Sequence, residues 1–127
     1  MDLPLVFSII WAGFIFGASS IPGQHVPSLG ISDKLIHFLV YAILGFLLMW
    51  WRRGKQEGGP GPALTQSVLM GSIYGATDEF RQGFVSGRSP DPSDWVADSA
   101  GVVFGAMAFL IFSTIFFRKR GSDGTDA

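Results

Sequence analysis

The sequence predicts an all-α protein, an integral membrane bundle of four transmembrane helices. Two observations support this fold class. Hydrophobic residues make up 48% of the chain and charged residues only 15%, with a mean hydropathy of +0.38, whereas soluble domains carry roughly 25% charged residues. The charges are also grouped, which leaves apolar stretches close to the roughly 20 residues that a membrane-spanning helix needs.

Hydropathy predicts three of the four spans directly. The first runs from Leu3 to Ile21, the second from Leu35 to Trp51, and the fourth from Val96 to Phe117. The third begins at Leu64 but reaches a group of ionisable residues from Asp78 onward. Hydropathy alone therefore leaves the third span open.

The basic residues decide between three spans and four. Short cytoplasmic loops collect Lys and Arg, and the chain has two basic clusters, at 52–55 and 118–120. They share one side of the membrane only if the third segment spans it. We therefore predict that both termini and the loop Arg52–Ala63 are cytoplasmic, and that Pro22–Lys34 and Gly83–Pro92 lie outside.

The start of the chain has one feature of a signal peptide and lacks another. Ala18-Ser19-Ser20 resembles the cleavage region of a signal peptide, but the start of the chain lacks the positive charge of such a peptide. We expect the first segment to be retained. Residues 1–117 are then predicted to form a single transmembrane domain and residues 118–127 a disordered cytoplasmic tail.

Small residues four positions apart recur in three of the predicted spans. This spacing lets helix backbones approach closely in lipid. The pattern predicts a tight bundle and leaves open whether some of these faces form a homodimer instead. The three stripes are Gly13 and Gly17 in the first span, Ser67, Gly71 and Gly75 in the third, and Ala97, Gly101 and Gly105 in the fourth.

Composition and missing motifs exclude several classes of protein. A net charge of -1 and a pI near 6.0 argue against binding nucleic acid by counterion release. The absence of Cys removes disulfides and thiolate chemistry. Zinc-helix, nucleophile-elbow, phosphate-loop and dinucleotide motifs are missing from the sequence. A cation site on converging carboxylates and His37 is chemically possible, but no ligand spacing indicates one, so we expect no metal or cofactor.

Polar residues gather in the predicted outer half of the bundle. Ionisable groups near hydrocarbon usually face the bundle interior with a partner, which makes a functional site the default interpretation. Asp33, His37 and Tyr41 recur every four residues on one helix face, and Glu79 and Asp98 follow the small-residue stripes. The candidate ligand-binding residues are Lys34, His37, Tyr41, Glu79, Gln82, Arg88, Asp94 and Asp98.

Structural roles stay open for several of these residues. Lys34 could extend to the membrane interface and Asp94 could cap the fourth helix. Arg88 either grips an anionic ligand through its planar fork or pairs with Asp94 or Asp98 and holds the loop. For Asp78 we expect a position facing water or lipid headgroups.

Glu79 is the candidate for which an inward position is predicted most directly. On a continuing helix it follows the same face as Gly71 and Gly75. Its predicted partner is Arg81, Arg88 or His37.

The same residues carry a resemblance to a known family. In this order they are similar to the VanZ-like family of small bacterial membrane proteins, over roughly residues 19–105. The matching elements are Ser20-Ile21-Pro22, Asp33–Phe38 with Tyr41, Gly75–Glu79, Gln82-Gly83-Phe84, Gly87-Arg88-Ser89, Asp94-Trp95 and Asp98–Gly101.

The resemblance implies a polytopic cell-envelope protein of the bacterial cytoplasmic membrane. The founding member of the family raises resistance to the glycopeptide antibiotic teicoplanin. Many relatives carry Asn at the position of Asp98, so the resemblance does not imply a charge there. Asp78 is not part of the family pattern.

Three functions fit these observations. The leading one is binding of an amphiphile, such as a lipid headgroup, a lipid-linked cell-wall precursor or a lipoglycopeptide such as teicoplanin, with Arg88 and Lys34 on its phosphate or carboxylate. The second is an intramembrane enzyme acting on a lipid phosphate or glycan, with Glu79 and His37 as candidate catalytic acid and base. The third is a small ion-coupled carrier, against which four spans without an inverted repeat count. The expected partner is a membrane lipid or lipid-linked envelope component.

Overall fold

The computed structural model describes residues 2–22, 32–55 and 58–123, with side chains up to residue 116. These residues form four α-helices and no strand, which confirms the all-α, four-helix prediction. The helices are α1 (Leu3–Ser19), α2 (Asp33–Lys55), α3 (Pro60–Gln82) and α4 (Pro92–Asp123).

The helices α2, α3 and α4 extend beyond the apolar segments from which they were predicted, whereas α1 ends at Ser19, two residues before the predicted end at Ile21. The polar residues that flank the apolar run of α2 continue its helix at both ends. The helix α4 passes the end predicted at Phe117 and reaches Asp123, so it includes part of the segment predicted as a tail. Residues 124–127 lie outside the described residues.

Proline and glycine mark the helix starts. The first turns of α1 and α3 contain Pro4 and Pro60, where the missing N–H is not needed for helical hydrogen bonding. Gly59, immediately before α3, has a φ of 89°, which a residue with a Cβ rarely adopts. The short connection from α2 to α3 therefore depends on this glycine.

Successive helices run in alternate directions. At one end, Ser19 at the end of α1 donates a 2.6 Å hydrogen bond to Asp78 near the end of α3. At the other end, Lys55 at the end of α2 forms a 3.1 Å ion pair with Asp2, just before α1. We call the first the polar end and the second the basic end, because Arg52, Arg53 and Lys55 lie there.

The closest helix pair is α2 and α4. A Cβ added to Gly101 or Gly105 would overlap the α2 backbone at Phe38 and Ala42, and one added to Gly45 would overlap the α4 backbone at Val102. The small-residue stripe of α4 is therefore buried against α2. The two helices meet backbone to backbone, as close packing in lipid requires.

The other two stripes differ from each other. Gly71 on α3 lies under the side chain of Val102, and Gly75 lies under Asp98. Nothing lies within 4 Å of the position of a Cβ on Gly13 or Gly17. The α3 stripe thus packs inside the chain, while the α1 stripe is exposed.

Within the part of the chain that the structure describes, two helices are long and apolar enough to cross a membrane, α2 and α4 over Pro92–Phe116. The helix α1 is also apolar, at 17 residues, and is shorter than such a span. The buried residues of α3 include Asp78, Glu79 and Gln82, which lower its hydropathy without contributing to its surface. Its exposed face carries large apolar side chains such as Ile73, which is 63% exposed.

Candidate functional site

A cavity of about 400 Å³ opens at the polar end between α1, α2 and α3. One part of its wall is apolar and comes mostly from α1 and α2, and the other part is polar. Its lining includes the apolar residues Phe14, Ile15, Ile36 and Val40 and the polar residues Asp33, His37, Tyr41, Asp78, Gln82 and Arg88.

The structure divides the eight predicted ligand-binding residues into two groups. Four of them line the cavity, namely His37, Tyr41, Gln82 and Arg88. The other four lie beside it, namely Lys34, Glu79, Asp94 and Asp98, and His37 joins the two groups through its contact with Asp98.

His37 stands at the centre of the polar end. Its Nδ1 lies 2.7 Å from Asp98 Oδ1 across the α2–α4 interface. Its Nε2 faces two further carboxylates, 3.8 Å from Asp33 Oδ2 and 4.0 Å from Asp94 Oδ2. The face of α2 that carries Asp33, His37 and Tyr41 therefore contacts the first turns of α4.

Asp98 is fully buried, and only one of its oxygens is paired. Oδ1 meets His37, while Oδ2 has no hydrogen-bond partner among the described residues. Gly75 makes room for this side chain, because a Cβ there would lie 3.2 Å from Asp98 Cβ. The α3 glycine stripe thus positions a carboxylate and also brings two helices together.

Glu79 points inward, as predicted, but its partner differs from the predicted ones. Its Oε2 accepts a 2.9 Å hydrogen bond from the backbone N–H of Asp91, and its Oε1 is buried without a partner in the described part of the chain. No ion pair with Arg81 or Arg88 forms there, because each arginine bonds to other groups. Glu79 therefore fastens the α3–α4 loop by one oxygen only.

Asp78 is a site residue that the sequence analysis missed. It is buried rather than facing water or headgroups. It accepts hydrogen bonds from Ser19 and, at 3.2 Å, from Arg81, and Tyr41 Oη lies 3.5 Å away. Its buried position could have been predicted from the sequence, because Asp78 continues the small-residue stripe of α3 three residues after Gly75.

Lys34 is already neutralised by two carboxylates. Its Nζ lies 3.3 Å from Asp91 and 3.2 Å from Asp94. Hydrogen bonds from the side chain and backbone of Ser93, together with Lys34, lower the pKa of Asp91. Lys34 is therefore poorly placed to receive the phosphate or carboxylate of a ligand.

The cap of α4 is Asp91 rather than Asp94. The N–H of Ser93 donates a 2.9 Å hydrogen bond to Asp91 Oδ1, which is the usual geometry of an N-cap. Asp94 lies within the first turn and is buried. This frees Asp94 to pair with Lys34 and face His37.

Arg88 binds backbone carbonyls at the end of α1. Its Nε donates to Ile21 O at 3.1 Å and its Nη2 to Ala18 O at 3.4 Å. It makes no ion pair with Asp94 or Asp98 in the described structure. These two bonds use two of the five N–H donors of a guanidinium, and Arg88 also lines the cavity. It can therefore hold the loop and face a ligand at the same time.

The VanZ/LLP1 family model matches residues 4–113. The chain belongs to the VanZ/LLP1 family. This confirms the resemblance to the VanZ-like family, and the matched range contains all the residues that line the cavity of this VanZ/LLP1 protein. No curated protein and no solved structure matches the chain.

Proposed function

We propose that this protein is a VanZ-like envelope protein that crosses the bacterial cytoplasmic membrane four times. The support comes from the surfaces of α1, which is apolar but shorter than a span, and of α3, whose buried polar residues lower its hydropathy. Ile9 and Ile10 on α1 are each 62% exposed, and Leu69 and Phe80 on α3 are also exposed. Exposed apolar faces of this extent are typical of protein in contact with lipid.

We further propose that the basic end is cytoplasmic and that both termini lie on that side. Arg52, Arg53 and Lys55 lie together at that end, and short cytoplasmic loops collect such residues. The chain has no Cys, so single cysteines can be introduced cleanly. Ser86→Cys should react with an impermeant maleimide in spheroplasts, and Gly58→Cys should react only after lysis. Labelling of Gly58→Cys in intact spheroplasts would contradict this orientation.

At the outer face, the function that the geometry supports best is binding of an amphiphile. The observation that carries it is the cavity of about 400 Å³, which combines an apolar wall with a polar end. An acyl chain or other apolar group fits against Phe14, Ile15, Ile36 and Val40, where its burial is favourable.

The polar end of the cavity fits a phosphate or carboxylate headgroup with hydroxyls. Arg88 has N–H donors beyond its two bonds to α1, and a guanidinium can hold such an anion by paired hydrogen bonds. Gln82 and Tyr41 add groups that bind hydroxyls and amides. Lipid headgroups, lipid-linked cell-wall precursors and lipoglycopeptides such as teicoplanin share this chemistry.

The test compares two adjacent positions on α1. Ala18 lines the cavity, whereas a Cβ on Gly17 meets nothing within 4 Å. Ala18→Phe should fill the cavity and reduce binding of phosphatidylglycerol and of teicoplanin at least tenfold in native mass spectrometry. Gly17→Phe is the matched control and should bind both like the parent chain. Equal binding by all three chains would rule out this cavity as the site.

Arg88→Lys sharpens the same test. Lysine keeps the charge but loses the paired donor geometry, so phosphatidylglycerol binding should fall several-fold while folding is retained. Arg53→Lys at the basic end is the control. A parallel loss in both variants would point to a general effect of the bilayer surface and not to a headgroup site.

A second candidate function, an intramembrane enzyme, is favoured by one specific contact. His37 lines the cavity and its Nδ1 is held by the buried carboxylate of Asp98. A histidine fixed in this way can take up a proton at its other nitrogen. Glu79 does not line the cavity, so its proposed acid role has no such support. The enzyme would be favoured if the parent chain turned over a lipid phosphate and His37→Gln abolished this turnover without loss of lipid binding.

A further inference from the structure

We propose that His37, Glu79 and Asp98 bind one divalent transition-metal cation between α2, α3 and α4. One ligand atom from each of these residues lies within 4.8 Å of the other two. The proposed site shares His37 with the amphiphile cavity, but its two carboxylates, Glu79 and Asp98, belong to the buried cluster beside that cavity. The sequence alone indicates no such site, since the three ligands come from three helices without a ligand spacing.

Two buried carboxylate oxygens without hydrogen-bond partners support a cation site here. Glu79 Oε1 and Asp98 Oδ2 are both buried and unpaired among the described residues. Glu79 is 7% exposed and Asp98 is fully buried. Burying a polar atom without a partner is unfavourable, and more so when it carries charge. A cation between the two carboxylates would satisfy both oxygens together.

The charges of the cluster also fit a dication. The two arginines nearby in sequence are used elsewhere, Arg81 by Asp78 and Arg88 by the backbone of α1. Lys34 pairs with other carboxylates. With His37 neutral, as a metal-bound imidazole is, a divalent cation would neutralise the carboxylates of Glu79 and Asp98 inside the bundle, where unpaired charges are costly.

The ligand types select the kind of metal. One imidazole with two carboxylates suits Zn²⁺ or Mn²⁺, while Mg²⁺ and Ca²⁺ prefer oxygen ligands alone. In a tetrahedral site, two such ligands at about 2.0–2.1 Å lie about 3.3 Å apart, and His37 Nδ1 and Asp98 Oδ1 are now 2.7 Å apart. A small rotation of the Asp98 carboxylate would provide this separation and present the free Oδ2.

The surroundings of His37 match those of a metal-bound histidine. Metal-binding histidines usually direct their second nitrogen at a carboxylate, which fixes the orientation of the ring. With Nδ1 on the metal, His37 Nε2 would face Asp33 and Asp94, at 3.8 and 4.0 Å. The three ligands leave a coordination position for water.

A second group of potential ligands is a weaker candidate. Asp33, His37 and Asp94 also lie close together. The Asp33 side chain is 71% exposed and Asp94 Oδ1 is already paired with Lys34. Neither Asp33 nor Asp94 has a buried oxygen without a partner among the residues with described side chains. The two groups share His37, so a variant of Asp33 distinguishes them.

The experiment measures metal binding to untagged, EDTA-treated protein in detergent. We expect about one equivalent of Zn²⁺ or Mn²⁺ per chain by titration calorimetry and elemental analysis, and a higher melting temperature in Zn²⁺. Glu79→Gln and Asp98→Asn should each weaken Zn²⁺ binding at least tenfold. Asp33→Asn should weaken Zn²⁺ binding far less than either, because Asp33 is exposed and Asp94 also faces His37 Nε2.

The two histidines of the chain give a matched pair of variants. His37→Gln should abolish binding, while His25→Gln, outside the described residues, should leave it unchanged. If the variants do not fold, X-ray absorption of the Zn²⁺-loaded parent chain decides, since the proposal requires one imidazole and otherwise oxygen ligands. Absence of both binding and a melting shift in the parent chain, or equal loss in Asp33→Asn and Glu79→Gln, would overturn the proposal.

Discussion

The α1 and α4 helices carry the same G-x-x-x-G spacing but use it differently. Gly101 and Gly105 of α4 lie against the backbone of α2, whereas Gly13 and Gly17 of α1 meet nothing within 4 Å. The spacing shows where a helix backbone can be approached. It does not show whether another helix approaches it, which depends on the residues opposite.

The attachment of α1 explains the difference. Ile15 of this helix lies in the core and Trp11 Nε1 donates a 2.9 Å hydrogen bond to Val40 O, while most of its other large side chains are exposed. At its end, Ser19 bonds to Asp78. Thus α1 is held by a few side-chain contacts, whereas α2 and α4 pack backbone to backbone. Substitutions in the two regions should therefore differ in severity.

The largest effect is expected at Gly105. Gly105→Leu would place side-chain atoms where the α2 backbone at Ala42 lies, so the helices would have to separate. We expect a loss of at least about 3 kcal/mol in unfolding free energy, the upper range for overpacking, and low yield of folded protein. SDS titration in mixed micelles followed by circular dichroism measures it. A variant that unfolds like the parent chain would show that α2 and α4 are farther apart than described.

The second largest effect is expected at Asp78, which fastens the end of α1. Asp78→Ala leaves Arg81 and Ser19 without their carboxylate. Arg81 is partly exposed and retains bonds to Ser20 and the α1 backbone. We therefore expect a loss of about 1–3 kcal/mol, below the range for fully buried pairs.

The control for Asp78 is Asp33→Ala, since Asp33 is exposed at the same end. Faster proteolysis near residue 20 in Asp78→Ala, but not in Asp33→Ala, would locate the loss at α1. Equal stability of the two variants would mean that Asp78 does not hold α1 and that its other contacts suffice.

A smaller effect is expected at Gly75, where the tight contact is with a side chain. Gly75→Ala would place a Cβ 3.2 Å from Asp98 Cβ and 3.3 Å from Oδ2, so Asp98 would have to move by a few tenths of an ångström. Helix propensity favours Ala by about 1 kcal/mol. We expect crowding to outweigh this and to leave a net loss of about 1 kcal/mol. Gly61→Ala, with open space at its Cβ, should gain stability, and a similar gain at Gly75 would show that the contact is loose.

The sequence predicts that the four helices exist because each contains a long apolar segment, but it does not predict their ends, since polar residues continue α2 and α4 beyond those segments. The inward positions of Glu79 and Asp98 also followed from helical spacing, since both lie on stripes of small residues. Hydropathy did not select α3, because its average includes Asp78, Glu79 and Gln82, which are buried inside the chain.

Partners across helices could not be predicted in the same way. His37 meets Asp98, and Lys34 meets Asp94, only because α2 and α4 pack at one particular register. Spacing along one helix gives no information on that register. For the same reason, one of the two roles left open for Arg88 paired it with Asp94 or Asp98, whereas the structure places it against α1 carbonyls.

The smallest effect on the folded chain is expected at the α1 stripe. Gly13→Leu and Gly17→Leu add side chains where nothing lies within 4 Å, and Leu is a better helix former than Gly. We therefore expect the unfolding free energy of each variant, measured in the same SDS titration, to lie within about 0.5 kcal/mol of that of the parent chain or slightly above it.

The homodimer through small-residue faces remains a prediction, and the exposed α1 stripe offers a surface for it. In bilayers, cross-linked dimer of the parent chain that disappears in both Leu variants would support that dimer, because Leu would keep the two backbones apart. Dimer that persists in both variants would exclude the α1 stripe as its interface, and a large loss of stability in either variant would show that this stripe packs within the chain after all.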